Sequence, residues 1–328
     1  MEKTIKAHSL SRIDWIDIAK GIGIFLMVMG HTSIPKLGGH WIYSFHMPLF
    51  FFLSGFLFQS GKYTWSQFIK RKVRTMVVPY FFFVVLNWIV CELLQYDNYP
   101  PHSLLNVLAD GSNGAIWFIY VLFFTELFFF GIETLKNLFQ SKWMMLISCM
   151  IATMMGWLFF QSNMHFSYKL EVVGMSLFFY IIGYITRMKG WYLKRYNLIL
   201  LFFLAVVQFI LANFQNRGLD MASNSYGTGL PSLLIALLGI GVTIECSKYI
   251  VKSPFWISNS IMYIGKNTIV VVGMSQMTLM GMKKYFELYE VPGYISSPVR
   301  HFLLWCLMVL FIYLFNKYIP FLIGKNSK

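Results

Sequence analysis

Charge is what this sequence has least of. Asp, Glu, Lys and Arg make up 12% of its 328 residues, against roughly 25% in a soluble domain. Acid is scarcest, with 13 Asp and Glu beside 27 Lys and Arg. A chain that is 57% hydrophobic then has too little polar surface to face water on every side. This excludes an ordinary water-soluble globule and leaves lipid to cover the excess. The cysteines Cys91, Cys149, Cys246 and Cys306 each stand alone in an apolar stretch. Without paired spacing they exclude a disulfide framework or a cysteine-bound metal, and no metal centre is expected. No small-residue cleavage site follows the first apolar stretch, which ends at Gly30-His31, so that stretch is expected to act as an uncleaved signal anchor. Internal repeats, low-complexity tracts and long linkers are absent as well, and residues 1–328 read as one domain.

What the chain does have is aromatic and aliphatic runs. Its 33 Phe suit a lipid face, and its 10 Trp and 19 Tyr suit the membrane interfaces. A helix needs about 20 apolar residues to cross the hydrocarbon layer. Runs between polar clusters give about ten spans, near 14–31, 42–58, 77–94, 115–135, 143–160, 171–186, 196–212, 230–247, 259–282 and 300–323. The expected fold class is therefore all-α, a polytopic membrane protein with about ten transmembrane helices. With the N-terminus inside, 20 of the 27 basic residues fall on cytoplasmic segments or span ends, six fall outside, and Lys266 falls in the ninth span region. This bias predicts a multi-pass protein of the cytoplasmic (inner) membrane with both termini cytoplasmic. It also accounts for most of the +14 net charge without nucleic acid.

Ionisable groups inside a membrane cost several kcal/mol and usually face a protein interior or a water cavity. The first span concentrates them in Asp14, Asp17, Lys20 and His31. The first three recur at three-residue spacing and share a helix face. Lys20 and His31 lie eleven residues apart, almost three turns, which points both the same way about 16 Å apart. Lys20 would lie near the cytoplasmic side and His31 near the outer side. A plainer account, in which Lys20 snorkels toward Asp17 and His31 marks a helix end, stands beside the functional one. His46 opens the second span in FHMPLFFFLSGF, where Ser54 and Gly55 permit close helix contact. The basic run Lys70, Arg71, Lys72 and Arg74 serves either as a topogenic patch or as a phosphate grip, since Arg binds phosphate with a bidentate fork. Glu126, in WFIYVLFFTE from Trp117, sits near mid-membrane and needs a partner or a cavity. Six of the seven histidines (His31, His40, His46, His102, His165 and His301) fall on or near the outer side, and His is the natural general base near neutral pH.

In order along the chain, WIDIAKGIGIFLMVMGH (15–31), FHMPLFFFLSGF (from Phe45), RKVRTMVVPY (from Arg71), WFIYVLFFTE, SLFFYIIGY (from Ser176) and YIGKNTIVV (from Tyr263) resemble the acyltransferase 3 family of membrane acyltransferases. Within it they look like the fucose 4-O-acetylase-like branch. The resemblance covers most of the chain and rests on the ordered set rather than on any one piece. It implies ten spans and transfer of an acyl group, usually acetyl, from cytoplasmic acetyl-CoA to a hydroxyl of an extracytoplasmic glycan. Lys20 and His31 would be the required basic residue and His, Arg71 and Arg74 the basic patch, and Glu126 the acid after the Trp-Phe pair. Many relatives have Arg where this chain has Lys20, and often His after the GKN segment where this chain has Ser275 and Gln276.

Geometry and resemblance together suggest one mechanism. The phosphates of the coenzyme A thioester dock on Arg71, Arg74 and Lys20, the pantetheine arm threads along the first span, and the thioester reaches His31. His31 acts as general base on the acceptor hydroxyl or is itself acylated, Glu126 orients it, and His46 stabilises the oxyanion. The partners expected are thus a coenzyme A thioester, a surface glycan and membrane lipids. The rival class is a transporter or flippase of a glycan or lipid-linked sugar; Gly265, Lys266, Asn267 and Gly273 could mark the broken helix such a protein uses. A non-catalytic scaffold is a third class, disfavoured by Lys20 and His31 on one face.

Overall fold

A computed structural model of the chain describes residues 13–32, 34–94, 103–110, 114–140, 143–215, 219–290 and 292–325. His8, His102, Arg217 and both termini lie outside the described residues. The described residues are almost entirely helical, as the composition predicts. The helices are α1 Asp14–Gly30, α2 Lys36–Tyr43, α3 His46–Leu57, α4 Trp65–Lys72, α5 Val78–Leu93, α6 Leu104–Asp110, α7 Trp117–Phe139, α8 Met144–Gln161, α9 Val173–Met188, α10 Leu198–Phe214, α11 Leu230–Ile250, α12 Phe255–Gly265, α13 Thr268–Leu288 and α14 Gly293–Tyr318. The only strands among the described residues form a short antiparallel hairpin, Leu219–Asp220 with Ser225–Tyr226.

Among the described residues, six helical segments are long and apolar enough to cross a bilayer: Trp65–Leu93, Gly114–Phe139, Met144–Gln161, Ser167–Met188, Leu230–Ile250 and Pro298–Tyr318. Helix α10 adds a shorter apolar one. The expected ten exceeds this count for a physical reason. Helices α1, α3 and α13 fall short because they are brief or carry polar groups, Asp14, Asp17 and Lys20 in α1 and Gln276, Lys283 and Lys284 in α13. The ninth expected span, 259–282, is not one helix. It breaks at Lys266-Asn267 into α12 and α13.

Helices meet closely where glycine removes the side chain. A Cβ on Gly55 of α3 would overlap the Tyr180 carbonyl of α9, and one on Gly183 of α9 would overlap that of Phe52. Mutual small-residue contact of this kind lets membrane helices approach backbone to backbone. Arg187, at the end of α9, donates to the carbonyls of Phe56 (3.1 Å) and Phe58 (3.2 Å). A cation thereby satisfies the otherwise unpaired C-terminal carbonyls of α3.

The basic run is placed by its own flanks. Thr64 and Gln67 form a reciprocal capping box that starts α4. Phe68, one turn before Arg71 and Lys72, is buried and stacks on Phe130 of α7 at 4.2 Å between ring centroids. Between α4 and α5 the chain makes a π-helical turn, Val73–Val77. It ends two residues before Pro79, which has no amide to donate to the Thr75 carbonyl.

Candidate active site

Two groups of polar residues sit at opposite ends of α1. The inner one surrounds a cavity of about 350 Å³ lined by Lys20 of α1, Ser54 of α3, Arg71 and Lys72 of α4, Glu126 of α7 and Thr268 of α13, with aromatic side chains between them. Lys72 forms an ion pair with Glu126, which is 4% exposed. A carboxylate at this depth is tolerable only with such a partner. The Arg71 guanidinium lies over the Tyr63 ring, 4.9 Å from its centroid, so it is held while its fork stays open to the cavity. Arg74 does not line the cavity. It sits half-buried on the π-helical turn, its Nε without a hydrogen-bond partner.

The outer group forms around His31, which caps the C-terminus of α1. Gln276 of α13 places its amide nitrogen 3.3 Å from His31 Nδ1. The amide oxygen of Gln276 accepts the backbone N–H of Ala115 at 2.7 Å. The second bond fixes which end of the amide faces the imidazole: Gln276 donates, so Nδ1 holds the lone pair and Nε2 the proton. Tyr43 stands edge-on between the two imidazoles, 6.5 Å from the His31 ring and 5.2 Å from that of His46. Its hydroxyl donates to the Gly30 carbonyl at 3.0 Å. His46, 2% exposed, donates Nδ1–H to the Ile42 carbonyl at 2.8 Å, which leaves Nε2 a lone pair in the neutral ring. Oxyanion stabilisation by His46 therefore requires its imidazolium form. Asp220, on the outer hairpin, acts electrostatically on both His31 and Tyr43.

Three helical stripes connect the two groups. On α3, Phe50 and Ser54 line the cavity and His46 lies one turn outward; on α13, Thr268, Ile269 and Val272 line it and Gln276 lies one turn outward; on α7, Phe118, Leu122 and Glu126 line it and the Ala115 amide lies just beyond. The cavity thus ends about one turn, roughly 5 Å, short of the outer group. Phe50 and Phe118 line its end toward that group, 5.5 Å apart between centroids. The Phe50 ring rests on Gly23 of α1, where a Cβ would come within 3.1 Å of it.

The structure therefore brings Lys20, Arg71 and Glu126 to one cavity and His31 and His46 to one outer cluster, and leaves Arg74 off the wall. Glu126 pairs with Lys72 at the cavity, whereas the side chain that hydrogen-bonds His31 among the described residues is Gln276. The spacing of α1 could not reveal this, because Gln276 comes from 245 residues away. The available signal was a polar Ser275-Gln276 pair inside the apolar stretch VVVGMSQMTLM.

The bundle thus has a cationic cavity at one end and imidazoles at the other, with one helix carrying a residue of each. Comparison with known proteins makes this specific: residues 13–317 match the acyltransferase 3 family, described as an acyltransferase domain, and the chain belongs to that family. With six helices among the described residues long and apolar enough to cross a membrane, it is a polytopic membrane member of that family. It is 29% identical over 138 residues to nodulation protein NolL of Mesorhizobium japonicum, a match covering 37% of this chain and 36% of that protein. The chain thus spans little more than a third of the curated relative's length. No solved structure matches. Family membership favours the enzyme over the transporter and scaffold readings. The break at Lys266-Asn267 brings the start of α13 to the cavity wall. Among the described residues, no group of His, Cys, Asp and Glu has the arrangement of a metal site.

Proposed function

We propose that this protein is an O-acetyltransferase that takes the acetyl group of acetyl-CoA at the inner end of the bundle and delivers it to a hydroxyl of a glycan at the outer end. The observation that carries the reading is the cavity that starts among Lys20, Arg71 and Lys72 and ends one turn from His31. Arg71, Lys20 and Lys72 take the phosphates of the donor, and the pantetheine arm follows α1. The cationic end faces the cytoplasm, in keeping with the distribution of Lys and Arg along the sequence. The ten crossings are α1, α3, α4–α5, α7, α8, α9, α10, α11, α13 and α14, with both termini cytoplasmic in the inner membrane. The fucose 4-O-acetylase-like branch is the part of the family whose chemistry fits best.

In the transfer step, the acceptor hydroxyl replaces the long Gln276 contact at His31 Nδ1 and gives its proton to that nitrogen as its oxygen attacks the thioester carbonyl carbon. The C–S bond breaks, the thiolate leaves with the proton, and the products are an acetyl ester and coenzyme A thiol. The rings of Phe50 and Phe118 keep water from the thioester until they part. Glu126 holds Lys72 in the donor cavity. His46, whose Nδ1–H is spent on Ile42, fixes Tyr43 against Gly30 and serves as oxyanion donor only when protonated. The test is transfer of labelled acetyl from acetyl-CoA to surface glycan by His31→Ala, with membrane insertion checked alongside. Loss of transfer with normal insertion is expected; retained transfer removes His31 from the mechanism.

A further inference from the structure

A second polar pocket, of about 560 Å³, opens beside the break between α12 and α13, at the Lys20 end of the bundle. Three ammonium groups line it, those of Lys266, Lys317 and Lys325, together with Asn267, Asn316 and two tyrosines. No acidic side chain is among its described lining residues. Its floor is built rather than incidental. Asn267 is 4% exposed; its amide oxygen accepts from Asn316 Nδ2 at 2.8 Å and Lys325 Nζ at 2.6 Å, and its amide nitrogen donates to the Tyr263 carbonyl at 2.7 Å. Asn316 Oδ1 takes a second bond from Lys325 Nζ at 2.5 Å. The turn carrying Lys325 is fixed in its turn, because Gly324 lies against the Thr75 backbone of the π-helical segment, where a Cβ would come within 2.8 Å of Thr75 Cα.

Lys317 ends the apolar segment Pro298–Tyr318, and its ammonium lies over the rings of Tyr313 (5.6 Å) and Tyr318 (5.0 Å). Tyrosine and lysine at the end of a span mark the membrane interface. Lys266 is exposed on the facing side of the same pocket. The Lys266 and Lys317 cations that share this pocket repel one another and are relieved by an anion. The Lys266 and Lys317 ammonium groups with neighbouring phenols supply donors to several oxygens of one tetrahedral anion, and basic pockets between helices at this depth suit phosphate head groups. The donor cavity is separate: Thr268 belongs to its wall, whereas Lys266 and Asn267 face the second pocket.

We infer that this pocket is a binding site for a phosphate anion, carried by an anionic phospholipid head group at the membrane surface or free in solution. The inference does not depend on how acyl transfer proceeds. The test uses the purified full-length protein and its Lys266→Ala/Lys317→Ala variant, with a Lys266→Arg/Lys317→Arg variant as the charge-preserving control. One arm measures retention of phosphatidylglycerol against phosphatidylcholine by native mass spectrometry. The other measures the thermal midpoint in inorganic phosphate against chloride at equal ionic strength. A lipid source gives preferential retention of phosphatidylglycerol, weakened about 30-fold by loss of two lysines. A soluble source gives stabilisation by inorganic phosphate without lipid preference. In either case the arginine variant keeps the effect and the alanine variant loses it. The site is disproved if wild type responds to neither probe, or if the alanine variant responds as wild type does.

Discussion

The contact between Gln276 and His31 makes a prediction about which imidazole nitrogen does the chemistry. Gln276 donates to Nδ1 at 3.3 Å and is anchored by the Ala115 N–H at 2.7 Å. Gln276→Leu removes both bonds. The first is longer than the usual 2.7–3.2 Å range and is worth about 0.5–1 kcal/mol; because the acceptor hydroxyl displaces it in the transfer step, its loss leaves turnover within about 5-fold of wild type. The unpaired Ala115 amide adds a stability cost of about 1–3 kcal/mol. Gln276→Glu is the sharper variant. Its carboxylate still accepts from Ala115 but presents an oxygen to the imidazole, which draws the ring proton onto Nδ1 and moves the lone pair to Nε2. If Nδ1 is the base, kcat falls by about 100-fold or more, well beyond the leucine variant, while KM for acetyl-CoA stays at the wild-type value because the phosphate grip lies at the other end of α1. The assay is initial-rate transfer of radiolabelled acetyl to a purified glycan acceptor in detergent. A glutamate variant as fast as wild type would refute the tautomer assignment, and with it the role given to Gln276.

The remaining predictions concern the donor cavity. Arg71→Ala raises KM for acetyl-CoA about 10-fold with little change in kcat, whereas Arg74→Ala, off the cavity wall, leaves KM within about 2-fold; steady-state kinetics separate the two, and equal effects would mean that the cavity is not the phosphate site. Lys72→Met strands the Glu126 carboxylate and destabilises the protein by about 3 kcal/mol, while Lys72→Met with Glu126→Gln recovers most of that loss in thermal unfolding. A double variant no more stable than the single one would show that the ion pair is not what keeps Glu126 in place.

That Lys20 lies in the first span helix and His31 at its end was legible in the sequence, because the two are close neighbours along one apolar run. The basic run was legible as a run of neighbours, but what places it, buried Phe68 and the Thr64–Gln67 capping box one to two turns earlier, came from the structure. The break at Gly265-Lys266-Asn267 was visible too, though the sequence offered it as a transporter feature rather than as a wall of the donor cavity. What could not be read were pairings between distant helices. Glu126 finds Lys72 54 positions earlier, and His31 finds Gln276 on the far side of the chain; no periodicity encodes either. Arg71 and Arg74 looked equivalent as neighbours in one run, but the π-helical turn rotates Arg74 off the cavity wall. The count of ten spans also outran what apolar length alone supports, because the helices that hold the site are the ones that gave up apolar residues for polar ones.

The account turns on a donor used from one side of the membrane and an acceptor from the other, and the most direct test is a sided assay. The purified protein is reconstituted into sealed vesicles of determined orientation, with labelled acetyl-CoA confined to the Lys20–Arg71 side and the glycan confined to the His31 side. The account predicts acetylated glycan in the acceptor compartment and coenzyme A thiol in the donor compartment. Transfer that occurs only when both substrates share one compartment would contradict it.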